Sequence, residues 1–231
     1  VMASSTWVDL DQVSAEEKRR TLREAIHTPA PMVDALYQIM KDTSEVLTHF
    51  DIGYWAYAGT LLGAVRHEPG GLIPWDDDAD FAVDKKDEGK LNDPKLEQMF
   101  AKLGYDFFSD EGGQEALVGY KIYRRNKLKL GDQEVWVFLD LFLFEQEGER
   151  YVLTRPNGRE RWKQSWFTVE EVQTKKDYQF GPLTLKGPSD PSASFVREYG
   201  KEWNSLALFY FTHMNGSAPV KYKWSLVSAE D

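Results

Sequence analysis

Apolar residues recur at two periods along the chain, and each period predicts a type of element. From residue 32 to 50 they follow the three- and four-residue spacing of a helix that buries one face. A shorter helix is predicted after Asp93-Pro94, where a capping aspartate and a first-turn proline stand in their preferred places. The stretches that alternate or form short apolar runs, as strands do, are 54–58, 78–83, 105–109, 117–125 and 135–144.

These elements predict an α+β protein in which a mixed β-sheet is flanked by helices. Residues 1–28 contain a highly charged helix, which we expect to be peripheral. Residues 29–203 are expected to form one domain, with a Pro-Asn-Gly turn at 156–158 in a smaller β-rich section towards its C-terminus. Residues 204–231 are rich in aromatic side chains without a clear period, and we expect them to pack on the same domain.

Candidate chemistry is concentrated between residues 57 and 83, where a turn, a short helix and a strand are predicted to follow one another. Gly59 allows close approach of the backbone, and Thr60 can donate a hydrogen bond to an anion at the start of the helix. Alternation along the strand places Asp78 and Asp80 on one face. Clustered carboxylate oxygens are ligands that suit Mg²⁺ or Mn²⁺, so this pair predicts a metal site.

Three further aspartates extend the acidic set. Asp76 shares the face of the pair if the strand begins early, whereas Asp77 is expected to cap the turn or face solvent. Asp140 is the only charge in the predicted strand 135–144, and a buried carboxylate is costly unless it is paired or metal-bound. From the residue types alone, a metal site and an acidic loop with a structural Asp140 both remain open.

The same residues carry a family resemblance. Two stretches resemble the signature of the LicD/fukutin phosphotransferases, which have a nucleotidyltransferase fold. They are Gly59-Thr60-Leu61-Leu62-Gly63-Ala64-Val65-Arg66-His67 and Ile73-Pro74-Trp75-Asp76-Asp77-Asp78-Ala79-Asp80. The resemblance implies an enzyme that moves a phosphoalcohol, such as phosphocholine or ribitol phosphate, from a CDP-linked donor to a glycan hydroxyl. Tyr199, Gly200 and Trp203 resemble the closing segment of the family, although helix termination and packing explain them equally well.

The resemblance also implies roles for individual residues. Mg²⁺ or Mn²⁺ would be held by Asp78, Asp80 and Asp140, with Asp76 as a further ligand, and Asp140 could instead accept the proton of the acceptor. Arg66 would clamp the donor phosphates or form an ion pair with one of these aspartates.

Other residues of the motif are expected around the donor. Gly59, Thr60 and Leu61 would approach its phosphates, and Lys121 could reach them from a strand, with a surface charge as the alternative. Trp75 could stack on the cytosine or belong to the core. His67 is expected to form loop hydrogen bonds, with its charged form favoured by the nearby carboxylates.

Three rival interpretations share some of these residues. A nucleotidyltransferase that uses an NTP would need the same metal chemistry, and a non-catalytic glycan- or nucleotide-binding module would keep the fold. A calcium loop is also conceivable, because Asp76, Asp78, Asp80 and Asp87 fall at ligand positions of an EF-hand frame. Phe81 speaks against it, since it occupies the position that needs glycine.

Composition narrows the function and suggests a compartment. The 28 basic and 38 acidic side chains give a net charge of −10, which argues against a general nucleic-acid binder. With no cysteine, disulfides, thiolate zinc sites and a cysteine nucleophile are excluded. No apolar run approaches the roughly 20 residues of a membrane span. Because the first residues do not resemble a signal peptide, a cytoplasmic location is expected, or the Golgi lumen if an anchor has been removed.

Overall fold

A computed structural model describes residues 7–24, 26–67, 70–111, 116–214 and 216–226 of the chain. Its helices are α1 (Ala15–Glu24), α2 (Ala30–His49), α3 (Ala58–Arg66), α4 (Glu88–Leu91), α5 (Pro94–Lys102), α6 (Pro156–Arg161), α7 (Val169–Gln173) and α8 (Ser192–Tyr199). A single 3₁₀ turn, Lys85–Asp87, precedes α4.

The strands of the described residues form one large sheet and three small ones. They are β1 (Trp7–Asp9), β2 (Tyr54–Ala56), β3 (Ala79–Asp84), β4 (Tyr105–Ser109), β5 (Gly119–Arg124), β6 (Leu128–Leu130), β7 (Gln133–Val135), β8 (Phe138–Glu147), β9 (Arg150–Leu153), β10 (Trp166–Thr168), β11 (Lys175–Phe180), β12 (Leu183–Pro188), β13 (Leu206–Thr212) and β14 (Gly216–Ser225). Helices and strands thus confirm the predicted α+β class.

The large sheet is mixed and has β8 at its centre. Strand β3 pairs with β8 in parallel and with β2 antiparallel, while β5 and β9 each pair with β8 antiparallel. Strands β4 and β10 complete the sheet at β5 and β9. Strand β8 is the longest strand of this sheet, and it pairs directly with β3, β5 and β9.

The two faces of the sheet have different environments. On one face, residues such as Phe81, Leu141 and Ile122 pack with the apolar side of α2 and α5 in the main core. The opposite face carries a second apolar cluster, in which the rings of Phe142 and Phe144 pack against Tyr57. Alternation places Asp80 and Asp140 on this second face, so the acidic residues lie on the side away from the main helices.

Most long elements follow the predicted pattern, and the differences have local causes. The predicted strand 135–144 is divided into β7 and β8, because residues 133–135 turn back to pair with β6. The predicted turn at 156–158 is wrong, since these residues begin helix α6. Proline is favourable in the first turn of a helix, where its missing N–H has no helical partner.

The N-terminal and C-terminal segments pack on each other. Strand β1 pairs in parallel with β14, which forms an antiparallel hairpin with β13. Leu10, Ile26 and Trp224 belong to a third apolar cluster beneath this three-stranded sheet. The division into residues 1–28, 29–203 and 204–231 stays a prediction, and residues 1–6 lie outside the described part of the chain.

No helix among the described residues is both long enough and apolar enough to cross a bilayer.

Candidate active site

A cleft of about 850 Å³ opens on the acidic face of the large sheet. Its floor comes from β3 and β8, and its walls come from α3, the C-terminal end of α8 and the hairpin strand β13. The carboxylates that line the cleft are Asp76, Asp78, Asp80, Asp140, Glu198 and Glu202. The structure therefore brings all four predicted metal-binding aspartates to one cavity.

Strand register places two of these aspartates side by side. Asp80 of β3 is the direct partner of Asp140 of β8, and Lys121 of β5 is the partner of Asp140 on the other edge. The Lys121 ammonium donates to Asp140 Oδ1 at 2.5 Å. Asp78 immediately precedes β3, and like Asp80 and Asp140 it is only 8% exposed. We call Asp78, Asp80 and Asp140 the acidic row.

The backbone around Asp80 is held by the start of α3. Thr60 Oγ1 accepts a hydrogen bond from the Asp80 amide at 2.9 Å, and the Tyr57 amide donates to the Asp80 carbonyl at 3.0 Å. Between them, Ala58 has a φ of 43°, a conformation that is unfavourable for a residue with a Cβ. Such local strain persists only where surrounding contacts enforce it. The start of helix α3 therefore holds the backbone of Asp80 in place.

Gly59 leaves room for a carboxylate of the protein itself. A Cβ built on Gly59 would lie 2.5 Å from Asp76 Oδ2, which is closer than real Cβ contacts. The backbone of Asp76 is also restrained, since its amide donates to Ile73 and its carbonyl accepts from the Thr28 hydroxyl at 2.8 Å. The Asp76 carboxylate thus lies close to Gly59, and an approach of Gly59 to the donor phosphates stays a prediction.

Asp77 ties the acidic loop to the C-terminal hairpin. Its Oδ1 accepts from the His213 amide at 2.9 Å, and its Oδ2 accepts from the Met214 amide at 2.7 Å. His213 Nδ1 lies 3.2 Å from Asp77 and 3.4 Å from Asp78. At 2% exposure, Asp77 neither faces solvent nor caps its own turn, so that prediction is wrong. The hairpin wall is instead anchored by this carboxylate.

Burial and mutual repulsion raise the pKa of the cleft aspartates. Burial raises the pKa of Asp80 well above its usual range, and Asp78 and Asp140 raise it further. The pKa of Asp76 is raised well above its usual range by burial and then by Asp78. Burial also raises the pKa of Asp78 and Asp140, although His213 opposes the effect at Asp78 and Lys121 opposes it at Asp140. Simultaneous ionisation of these aspartates is therefore unfavourable unless a further positive charge is present.

A comparison with protein families identifies the chain. The family model described as LicD/FKTN/FKRP, nucleotidyltransferase domain, matches residues 51–190, which is more than half of the sequence. The chain belongs to this family. The matched region holds α3 and the acidic row, whereas α8 and the C-terminal hairpin that complete the cleft lie beyond it.

Several curated relatives are similar to this LicD-family chain. The Rickettsia prowazekii protein RP689, described as uncharacterized, is 35% identical over 78% of this chain and 59% of its own length. Its Rickettsia typhi counterpart RT0683 is 34% identical over 78% of this chain and 50% of its own. Ribitol 5-phosphate transferase FKRP of Homo sapiens is 38% identical over 29% of this chain and 13% of its own. The chain thus spans 59% of the length of RP689 and 50% of the length of RT0683.

One solved structure shows a weak likeness. A crystal structure of ANT(2")-Ia in complex with adenylyl-2"-tobramycin aligns with 66% of this chain and 68% of its own, with 12% identity and a TM-score of 0.39. At this level the alignment supports no inference about the LicD-family chain.

Arg66, a residue of the LicD motif, lines the cleft, but its contacts differ from the predicted ion pair with an aspartate. Its guanidinium donates to the Trp203 carbonyl at 3.2 Å and lies 3.3 Å from His67 Nε2. Burial lowers the Arg66 pKa to about 10, so the group remains charged at neutral pH. Burial and then Arg66 lower the His67 pKa to about 4, so the expectation of a charged His67 is wrong.

The other predicted donor contacts are placed at different depths. Trp75 lines the cleft and also contacts Trp224, with ring centroids 4.7 Å apart. Leu61 is buried in the main core, and its amide donates to the Tyr57 carbonyl at 3.0 Å. Lys121 is engaged by Asp140. Donor contacts by Trp75, Leu61 and Lys121 stay predictions.

The calcium-loop alternative is wrong for a geometric reason. Residues 79–84 form an extended strand, so Asp87 lies beyond the far end of β3 from Asp78 and Asp80. There it pairs with Lys90 at 2.9 Å and lines a separate cavity. An EF-hand loop instead needs the first and twelfth positions to converge on one ion.

Three residues of the site were not predicted from the sequence: Glu198, His213 and Asp77. Glu198 stands directly before Tyr199, so the resemblance at Tyr199-Gly200 was the available signal for it. His213 lies in the aromatic-rich segment, where no period indicated a fold, and nothing in the local pattern linked it to Asp77.

Proposed function

We propose that this chain transfers a phosphoalcohol from a CDP-linked donor to a hydroxyl group of a glycan, with a divalent cation. The observation that supports it best is the acidic row, two members of which are direct register partners on parallel strands. Membership of the LicD family supports a transferase, and the similar protein FKRP of Homo sapiens is named a ribitol 5-phosphate transferase. The donor and the acceptor belong to the proposal.

The donor set of the cleft fits a divalent cation. Asp78, Asp80 and Asp140, with Asp76 as a further ligand, would hold it, because their carboxylate oxygens suit Mg²⁺ or Mn²⁺. Their raised pKa values indicate negative charge that a cation would offset. When bound, it supplies electrostatic stabilisation of the charge that builds on the diphosphate as CMP leaves.

A second group of ligand atoms overlaps this set. One ligand atom from each of Asp77, Asp78 and His213 lies within 4.8 Å of the others, which is close enough to hold an ion. Asp77, however, already accepts two backbone N–H bonds from the hairpin. We therefore assign Asp77 and His213 to holding the hairpin, and Asp78 to the cation.

The remaining cleft residues would bind and orient the donor. Arg66 would contact the phosphates, since its charge is retained at neutral pH and its contacts with Trp203 and His67 fix the guanidinium. Trp75 would provide an apolar surface for the cytosine. A glycan would enter beside the exposed side chains of Leu208 and Tyr210, which line the cleft on β13.

A donor panel tests the proposal. The protein is incubated with CDP-choline, CDP-ribitol, CDP-glycerol and CTP, with Mg²⁺, with Mn²⁺ and with EDTA, and CMP and pyrophosphate are measured. Metal-dependent CMP release from a CDP-alcohol is expected. Pyrophosphate release from CTP would favour nucleotide transfer, and donor binding in a thermal-shift assay without any release would favour a non-catalytic module.

A further inference from the structure

Glu198 is a carboxylate of the cleft that stands apart from the acidic row. It lies in the last turn of α8, on a different element from β3 and β8, and its side chain lines the same cavity as Asp80 and Asp140. The buried Ser165 hydroxyl donates to Glu198 Oε1 at 2.9 Å. This bond fixes the carboxylate from one side.

No lysine, arginine or histidine of the described residues forms an ion pair with Glu198. The neighbouring Arg197 is directed elsewhere, donating to Glu171 at 2.6 Å and to the Trp166 carbonyl at 2.9 Å. Glu198 therefore differs from Asp140, whose carboxylate is engaged by Lys121. A carboxylate without a fixed cation keeps an oxygen available for a proton.

The surroundings of Glu198 set its proton affinity near neutrality. Burial raises the Glu198 pKa to about 7, while the Ser165 hydrogen bond and Arg197 act in the opposite direction. The charge of Glu198 in turn raises the pKa values of Tyr199 on its own helix, of Asp80 on β3 and of Tyr57 at the start of α3. A general base is most effective when its pKa is close to the working pH.

We propose that Glu198 is the general base that accepts the proton of the acceptor hydroxyl. This assignment rests on the proposed function. The oxygen of the acceptor hydroxyl forms a bond to the donor phosphorus that carries the alcohol, and the proton of this hydroxyl moves to Glu198. The bond between this phosphorus and the bridging oxygen breaks, and CMP leaves with that electron pair. The products are a phosphodiester and CMP, and Glu198 then releases the proton to water.

The acidic row is less suited to this role. Its oxygens are assigned to the cation, and a carboxylate that binds a cation has lost much of its proton affinity. Asp140 is additionally bonded to Lys121. Glu198 lines the same cavity from another element, where it can accept a proton without releasing a ligand.

The assignment is tested by kinetics of Glu198→Gln. CMP release from CDP-ribitol, CDP-choline and CDP-glycerol is measured between pH 5.5 and 9 with Mn²⁺ and with glycerol as the acceptor probe. We expect kcat to fall by about 10²–10⁴-fold, as is typical for loss of a general base. The wild-type rise of kcat/KM through an inflection near pH 7 should be absent from the variant. Glu160→Gln, an exposed residue of α6 outside the cleft lining, is the matched control.

Ser165→Ala separates a base from a structural residue. Because the Ser165 hydrogen bond lowers the Glu198 pKa, its loss should move the inflection of kcat/KM to higher pH. The rise in Tm on addition of Mn²⁺ should remain in Glu198→Gln and in Ser165→Ala. Such a rise would show that the fold and the acidic row of the variant are intact.

Different results would overturn the proposed function and the assignment of Glu198 as the general base. Wild-type protein that releases no CMP from any of the three donors would overturn the proposed function and this assignment with it. Wild-type release together with an unchanged kcat and pH profile in Glu198→Gln would overturn the assignment alone. An inflection that stays in place in Ser165→Ala would do the same, even if Glu198→Gln did not fold.

Discussion

Replacing Asp80 with asparagine should stabilise the metal-free protein while it abolishes turnover. Asp80 and Asp140 are register partners on adjacent strands, which are about 5 Å apart. Two like charges at that separation repel by about 3 kcal/mol at an effective dielectric constant of about 20. The asparagine side chain has nearly the same shape without the charge, and the Thr60 bond to the backbone at this position is unaffected.

The gain in stability of Asp80→Asn over the wild-type protein should increase with pH. Burial, Asp78 and Asp140 raise the Asp80 pKa in the folded protein well above its usual range. Between the unfolded pKa of about 4 and the folded value, the folded protein binds more protons than the unfolded chain. This stabilisation is complete below the unfolded pKa and is lost as the pH rises through the folded pKa. The variant lacks that loss, so its advantage should be larger at pH 8 than at pH 5.

Thermal unfolding in EDTA measures the effect. For a chain of this size about 1 kcal/mol corresponds to about 2–4 °C in Tm, so a full gain gives roughly 6–12 °C at pH 8. Asp177→Asn is the control, because it removes an exposed carboxylate that pairs with Lys186 at 3.1 Å and should change stability by at most about 0.5 kcal/mol. An Asp80→Asn protein with an equal or lower Tm than wild type at pH 8 would refute the repulsion argument.

Three other substitutions test the contacts that build the site. Asp77→Ala should lower the free energy of unfolding by about 2–5 kcal/mol in urea denaturation, because it leaves two backbone N–H groups of the hairpin without their acceptor. Asp77→Asn retains one acceptor oxygen, so its free energy of unfolding should fall by less. Gly59→Ala should weaken Mn²⁺ binding measured by calorimetry, since its Cβ would displace the Asp76 carboxylate; unchanged affinity would remove Asp76 from the ligand set. Thr60→Val should cost about 1–2 kcal/mol of stability by leaving the buried Asp80 amide without its acceptor, whereas Thr60→Ser should retain most of it.

The floor of the site could be predicted from the sequence because its determinants are local. A small-residue turn, a short helix and an alternating strand follow one another within residues 57–83, and each has a recognisable pattern. The structure has these elements at Ala58–Arg66 and Ala79–Asp84. The pairing of Asp80 with Asp140 depends on the register of strands about 60 residues apart, which no local pattern specifies.

The second wall of the site could not be predicted for physical reasons. Strand β13 changes register between Phe209 and Phe211, and such an irregularity interrupts the two-residue alternation that identifies a strand. The hairpin is held to the site by Asp77, through contacts across 136 and 137 residues of sequence. For Glu198 the sequence offered only its position directly before Tyr199, and its place in the cleft becomes visible with the packing of α8.

The substitution Asp78→Asn shows whether the acidic row binds a divalent cation and supports transfer. CMP release from the CDP-linked donor that the wild-type protein cleaves is measured at saturating Mn²⁺ for both proteins, with Tm values to show that the variant is folded. The account predicts that the rate falls by about 10²–10³-fold or more, because Asp78 would help to offset the charge of the transition state. A folded Asp78→Asn protein that releases CMP at the wild-type rate would show that Asp78 is not needed for transfer and would overturn its assignment as a ligand of the catalytic cation.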